Sequence, residues 1–320
     1  MTSPDTLLQT PEWQPVGTGH YALGESPFWH PKEQTLYWVD ITGRQILRAN
    51  VYMGSVEAWD MPSEPGCIAP AAAGGLVLAL RDGVYRAPVW GGALQRIATL
   101  PYDPATVRAN DGKCDALGRF WVGTVDETKS QQAAALYSID ARPATCAAQG
   151  GSPRVQQHVG AALTGNGLAW SPDNTTLYWA DTPRHHVLAW PWDADANVLG
   201  AQRTHLQFAA KPEGWQPGAP GYAGRPDGAT VDALGNYWVA LYEGRRVCQF
   251  APDGRLLQQI QTPVQCPTMP CLGGEDYRTL YLTSVRHGRS AGELAQMPAS
   301  GGVFSLRVAT PGLPVNFFSD

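Results

Sequence analysis

The sequence has little of what several protein classes require. No apolar run approaches the roughly 18–20 residues of a membrane-spanning helix. Lys and Arg number 23 against 28 Asp and Glu, a formal net charge of −5, so no basic stripe points to a nucleic-acid partner. Cysteine is scarce: six in 320 residues do not make a disulfide framework. Cys266 and Cys271 are five apart and no pair has zinc-site spacing, so buried free thiols are expected. The opening MTSPDTLLQTPEW lacks the charged and apolar regions of a signal peptide. A cytoplasmic protein is expected, with neither nucleic acid nor membrane as partner. The helical period is almost absent as well, which excludes a coiled coil.

Turn-forming residues are abundant. The chain has 35 Gly and 27 Pro, about 19% together where roughly 12% is average, yet below the roughly 25–30% that signals disorder. Twelve Trp, twelve Tyr and 43% hydrophobic residues supply a core. Short aromatic and β-branched runs alternate with Gly, Pro, Asp and Asn clusters, the pattern of strands and turns. One unit recurs: a Pro-Asp or Asp-Gly turn, then a strand with an aromatic pair, then an acidic or Thr-containing turn. It appears as SPFWHPKEQTLYWVD (26–40), CDALGRFWVGT (114–124), AWSPDNTTLYWADT (169–182), TVDALGNYWVAL (230–241) and CLGGEDYRTLYLTS (271–284). A weaker copy is GGLVLALRDGVYRAP (74–88).

With Trp38, Leu78, Trp121, Trp179, Trp238 and Tyr281 as register marks, the unit returns about every 49 residues, within the range of propellers and repeat arrays. The expectation is an all-β, six-bladed β-propeller of four-stranded antiparallel blades. One blade cannot bury both its faces, whereas six stacked around an axis can. A β-sandwich is the competing architecture, and it does not explain the regular return of the aromatic pair. The strand GGVFSLRV (301–308) is expected to pair with residues 12–17 and close the ring. A single domain over 1–320 follows, with tails at about 1–12 and 309–320.

Several familiar motifs fail on their context. Gly288 to Gly292 spells G-x-S-x-G, but no His follows Ser290 to complete a triad. DADANVLG (193–200) begins like an EF-hand, yet Val198 stands where Gly is needed and Thr204 where Glu is needed. GTGHYA (17–22) precedes no long helix, as a dinucleotide fingerprint must. His185 and His186 are adjacent, point to opposite faces of a strand, and are expected in solvent or packing roles.

The remaining candidates are polar residues that begin blades. Glu25 lies between Gly24 and Ser26-Pro27, Asn166 between two glycines, and Asp227 after Pro226. Comparable positions in different blades converge on the axis of a propeller. Two carboxylates and an amide there suit Ca²⁺, Mg²⁺, Mn²⁺ or Fe²⁺. Turn chemistry alone also explains Asn-Gly and Asp-Gly, although Glu25 is poor turn material. A second cluster, Arg108 and Asn110 with Asp111, and Glu127 beyond the next strand, suits a polyhydroxylated or carboxylated ligand; a solvated turn is the alternative.

At these residues the chain resembles the regucalcin and gluconolactonase-like sugar lactonases. The matching segments run in order: GESPFW with LYWVDI, RANDGKCDALGRFWVGT, GNGLAWSPD with LYWADT, RPDGATVDALGNYWVA, CLGGEDYRTLYLTS and SGGVFSL. They cover roughly residues 20–308. The resemblance implies a six-bladed propeller with one divalent metal near the axis (Zn²⁺ joining the ions above) and hydrolysis of aldonolactones. It implies Glu25, Asn166 and Asp227 as metal ligands, with Asp227 also the general base. It implies Arg108, Asn110 and Glu127 as contacts to a sugar lactone, although regucalcin has Glu-Glu where this chain has Asp126-Glu127. The stretch 211–224 before Asp227 is longer than the family suggests and is a candidate lid. A different ester or phosphotriester hydrolase on the same scaffold stays open, as does a noncatalytic metal or sugar binder. A monomer or small homo-oligomer is expected.

Overall fold

The computed structural model describes residues 8–320. Six antiparallel sheets follow one another around an axis as a six-bladed propeller. The innermost strands are Gly24–His30, Cys67–Pro70, Val107–Cys114, Gly165–Trp170, Arg225–Val231 and Pro267–Gly273 in blades 1 to 6. The ring closes as expected: blade 6 takes its outermost strand from Gln14–Pro15, with Pro15 opposite Phe304 and Gln14 opposite Ser305. Of the tail expected at 1–12, residues 1–7 lie outside the described residues, and Leu8–Gln9 pairs in parallel with the edge of blade 5.

The second strands of the blades are buried on both faces, so runs such as TLYWVD and YWVALY are nearly continuous in hydrophobicity. The core is accordingly six apolar clusters, each shared by two neighbouring blades. In blade 5, Tyr237, Val239 and Leu241 enter the cluster shared with blade 4, while the alternate residues Trp238 and Ala240 enter the one shared with blade 6. Period-two alternation thus serves both neighbours at once.

All six register marks fall on the second strand of their blades and are buried, but they are not equivalent. Trp121, Trp238 and Tyr281 face the following blade, whereas Trp38, Leu78 and Trp179 face the preceding one. A one-residue slip reverses the face of a strand, and identical-looking aromatic pairs conceal that slip.

The segment after the last blade is packed rather than loose. Gly312 bridges to Asp232, Phe318 pairs with Ala71 and is fully buried, and Asn316 Nδ2 donates to the Cys114 carbonyl at 3.1 Å. Residues 313–316 thereby form part of the wall of a cavity of about 360 Å³ lined also by Trp29, Cys114, Trp170 and Met269.

Blades 3 and 5 share a turn that holds its tryptophan. Asp115 Oδ1 accepts from the Leu117 and Arg119 amides, while Oδ2 accepts from Arg119 Nε at 2.6 Å and Trp121 Nε1 at 2.7 Å. Asp232 does the same for Leu234, Asn236 and Trp238. The Asp115–Arg119 pair is buried, and removing one partner leaves an uncompensated charge. Asp115→Ala is expected to cost about 3–5 kcal/mol, read as a lower urea midpoint in equilibrium unfolding.

Candidate active site at the blade axis

Five of the six inner strands carry one extra residue relative to their partner strand, a β-bulge, and the candidate residues sit at these bulges. In blades 1 and 4 the bulge lies opposite Trp38 and Trp179, and Glu25 and Asn166 are the last paired residues before it. In blades 3, 5 and 6 it lies opposite Gly123, Ala240 and Thr283. Asp227, Asn110 and Asp111 are therefore inside their bulges, not at the ladder position of Glu25 and Asn166. The bulge imposes a left-handed backbone just after each of the first two: Gly167 has φ +60° and Ser26 φ +50°. Glycine takes this conformation freely, whereas Ser26 holds it as local strain beside the site.

Side-chain contacts join blades 3 and 4. Asn110 Nδ2 donates to Asn166 Oδ1 at 2.8 Å and to the Gly165 carbonyl at 3.0 Å, and Asn166 Nδ2 donates to Thr182 Oγ1 at 2.8 Å. Arg108 donates to Asn110 Oδ1 at 2.9 Å and lies 3.4 Å from Glu127. Glu127 is itself gripped by Arg81 at 2.8 and 3.2 Å, which lowers its carboxyl below the usual range. Of the expected ligand-contacting residues, Glu127 is thus paired with two arginines, and Asn110 is engaged through both its oxygen and its amide nitrogen.

Three carboxylates are buried together. Burial raises Glu25 well above the ordinary carboxylate range, and the charges of Asp227 and Asp111 raise it further. Burial pushes Asp227 up to about 8, with Arg225 opposing and Asp111 adding. Burial also raises Asp111, against the pull of Lys113. Sequence reading noted Asp111 in passing and missed Lys113, whose Nζ donates to the Ala229 carbonyl. One oxygen of Asp111 accepts from the Leu168 amide at 2.9 Å, and the other is buried without a hydrogen-bond partner.

No cluster of three or more His, Cys, Asp or Glu in metal-holding geometry occurs among the described residues. The residues expected to hold a cation offer instead two carboxylates and an amide oxygen, the last already accepting from Asn110, and oxygen ligands of this kind suit a hard divalent cation. Crowded, mutually repelling carboxyls with an orphaned acid oxygen nearby fit such an ion.

The rim is built by loops. The 211–224 excursion folds around a Trp215–Tyr222 ring contact, with Lys211 reaching Glu243 at 2.9 Å. His185 lies in a turn at φ +57° rather than on a strand, and its Nε2 meets the Tyr222 hydroxyl at 2.8 Å. His186 opens the following strand, so the two are not opposed across one strand. All six cysteines are free thiols, five of them buried. No helix among the described residues is long and apolar enough to cross a membrane.

A six-bladed propeller with oxygen donors gathered at its axis defines the structural class. The chain belongs to the SMP-30/gluconolactonase/LRE-like family, whose model matches residues 23–286. It is 40% identical over 297 residues to 6-deoxy-6-sulfogluconolactonase of Pseudomonas putida, spanning 93% of this chain and 95% of that one. It is 32% identical over 309 residues to regucalcin of Gallus gallus, spanning 93% and 95%. The crystal structure of a calcium-binding protein, regucalcin from Agrobacterium tumefaciens, superposes at TM-score 0.87 over 98% of this chain and 99% of that one, at 22% identity.

The raised carboxyls have a consequence for stability without a cation. Asp227 keeps its proton in the folded chain up to about pH 8, whereas an unfolded chain releases it near 3.9. The stability this group contributes is full below that lower value and is lost as pH rises through about 8. The melting temperature of chelator-treated protein is expected to fall between pH 6 and 9, and Asp227→Asn to flatten that slope.

Proposed function

We propose that the protein hydrolyses sugar lactones to aldonic acids in a reaction that depends on one divalent cation held by Glu25, Asn166 and Asp227. The observation that carries this reading is the buried group of acids beside the Arg108–Asn110 pair. It supports reading Asp227 as a proton acceptor and Arg108 with Asn110 as the contacts to ring hydroxyls. The names of the relatives supply the reaction class, and a gluconolactone is the first compound to test. When bound, the cation would polarise the lactone carbonyl as a Lewis acid.

The chain's own residues account for the rest. Arg108 and Asn110, fixed to one another, hold ring hydroxyls and orient the carbonyl carbon toward the acids. Asp227 takes a proton from the attacking water as its oxygen bonds to that carbon. The ring C–O bond then breaks, and the departing ring oxygen takes a proton from Asp227 to become a hydroxyl. The acid is thereby returned to its starting state. Burial places the Asp227 pKa close to working pH, which suits a group that must both accept and give a proton.

Asp227→Ala is expected to lower cation-dependent turnover by about 10²–10⁴-fold, the usual contribution of a general base, with an unchanged circular-dichroism spectrum. The assay is pH-stat hydrolysis of pentono- and hexonolactones, with aryl esters and phosphotriesters alongside and several divalent ions after chelation. Full lactonase activity in that variant would remove Asp227 from its role. Preference for the ester or phosphotriester arm would reassign the reaction.

A further inference from the structure

Arg81 bridges blades 2 and 3 and is held at both its main chain and its side chain. It occupies the short turn between Leu76–Leu80 and Gly83–Ala87 of blade 2. Its carbonyl accepts from the Tyr102 hydroxyl at 3.0 Å. Its Nε donates to Glu64 at 2.9 Å, and its Nη1 donates to the Pro104 carbonyl at 2.9 Å. Tyr102 and Pro104 belong to the connection into the inner strand of blade 3, Val107–Cys114. The same guanidinium grips Glu127 of blade 3 with two prongs: Nη1 meets one carboxylate oxygen at 2.8 Å and Nη2 the other at 3.2 Å.

Glu127 has a second arginine within reach. It follows the strand Phe120–Asp126, whose end pairs with the start of the inner strand, Arg108 lying opposite Val125. Arg108 Nε is 3.4 Å from the Glu127 oxygen that Arg81 Nη2 also holds, an ion-pair contact rather than a hydrogen bond. Both hydrogen bonds to the Glu127 carboxylate come from Arg81. Arg108 turns its Nη1 to the Ala109 carbonyl and to Asn110 Oδ1, each at 2.9 Å, and its Nη2 has no hydrogen-bond partner among the described residues. A carboxylate this near a guanidinium ordinarily closes on it through two parallel hydrogen bonds. Here another guanidinium has taken both oxygens.

We propose that Arg81 is a positioning residue for substrate binding: by gripping Glu127 it keeps that carboxylate from closing on Arg108, and so leaves Arg108 free to donate to a ring hydroxyl of the lactone. This inference rests on the lactonase reading above and adds to it a residue that does not touch the substrate. Glu64, with Arg44 3.5 Å beyond it, braces Arg81 from behind. A line of alternating charges thus runs from Arg44 through Glu64, Arg81 and Glu127 to Arg108, crossing from blade 1 to blade 3. The grip depends on a planar fork of donors, since an ammonium at the same place is a point charge that cannot match both oxygens.

The test is a double-mutant cycle on Arg81 and Glu127, with kcat and KM measured by pH-stat on whichever pentono- or hexonolactone the unaltered chain hydrolyses best. Arg81→Gln is expected to raise KM about 10–100-fold, the effect of one charge-assisted hydrogen bond lost between Arg108 and the ligand. Once Glu127→Gln has removed the carboxylate, nothing is left to close on Arg108, and adding Arg81→Gln is expected to raise KM no further. Arg81→Lys should recover part of the loss. A crystal structure of Arg81→Gln should show Glu127 hydrogen-bonded to Arg108. Should Arg81→Gln lose the circular-dichroism spectrum of the unaltered chain, Arg81→Lys takes its place in the cycle with a smaller rise in KM. An unchanged KM, the same increase with and without the Glu127 carboxylate, or a Glu127 that stays clear of Arg108 in the variant's structure overturns the proposal and leaves the lactonase reading standing. Hydrolysis of no lactone by the unaltered chain overturns both.

Discussion

Each blade has two apolar faces and no helix to cover either, and this one constraint organises the molecule. A face stays dry only against the next blade, so the sheets must close into a ring, and the last must borrow its outer strand from Gln14–Pro15. Once closed, the six inner strands have nowhere to go but the axis. There they pack so tightly that a Cβ on Gly228 would come within 2.4 Å of Met269. Residues far apart in sequence, such as Glu25 and Asp227, are brought together by this closure rather than by any local preference.

The inner strands then depart from regular pairing where chemistry is needed. An extra residue in the ladder turns a side chain that would alternate toward a neighbouring blade into one that faces the channel. Ser26 holds its left-handed φ at this point, and the ring of packed blades supplies the rigidity that keeps it there. The same rigidity holds Asp111 and Asp227 close enough to raise the Glu25 carboxyl, and Asp111 close enough to raise Asp227. Between the inner strands lies a cavity lined mainly by apolar residues and in part by residues 313–316, with none of the acids in its wall.

Much of this was legible in the chain. Aromatic pairs returning at regular intervals identified the blades, and the short strand at 301–308 identified the closure. Glu25 stood out because Glu is a poor turn residue, while Asn166 and Asp227 were masked by ordinary turn chemistry. What the repeats concealed was phase. The tryptophans of blades 1 and 4 face backward and those of blades 3 and 5 forward, so aligning them by type placed Asp227 on the same step as Asn166 when it lies inside the bulge. Lys113, which lowers Asp111 from within the buried group, carried no motif at all.

The sequence by itself determined the architecture, because hydrophobic runs buried on both faces, punctuated by Gly, Pro and Asp turns, have few ways to bury their surface. It also determined which residue types were available for an oxygen-donor site. Only the tertiary structure decided which of them meet, since bulge position, blade-to-blade distance and shared counter-charges are properties of the closed ring. That is why three acids separated by more than a hundred residues of chain overall become one electrostatic unit.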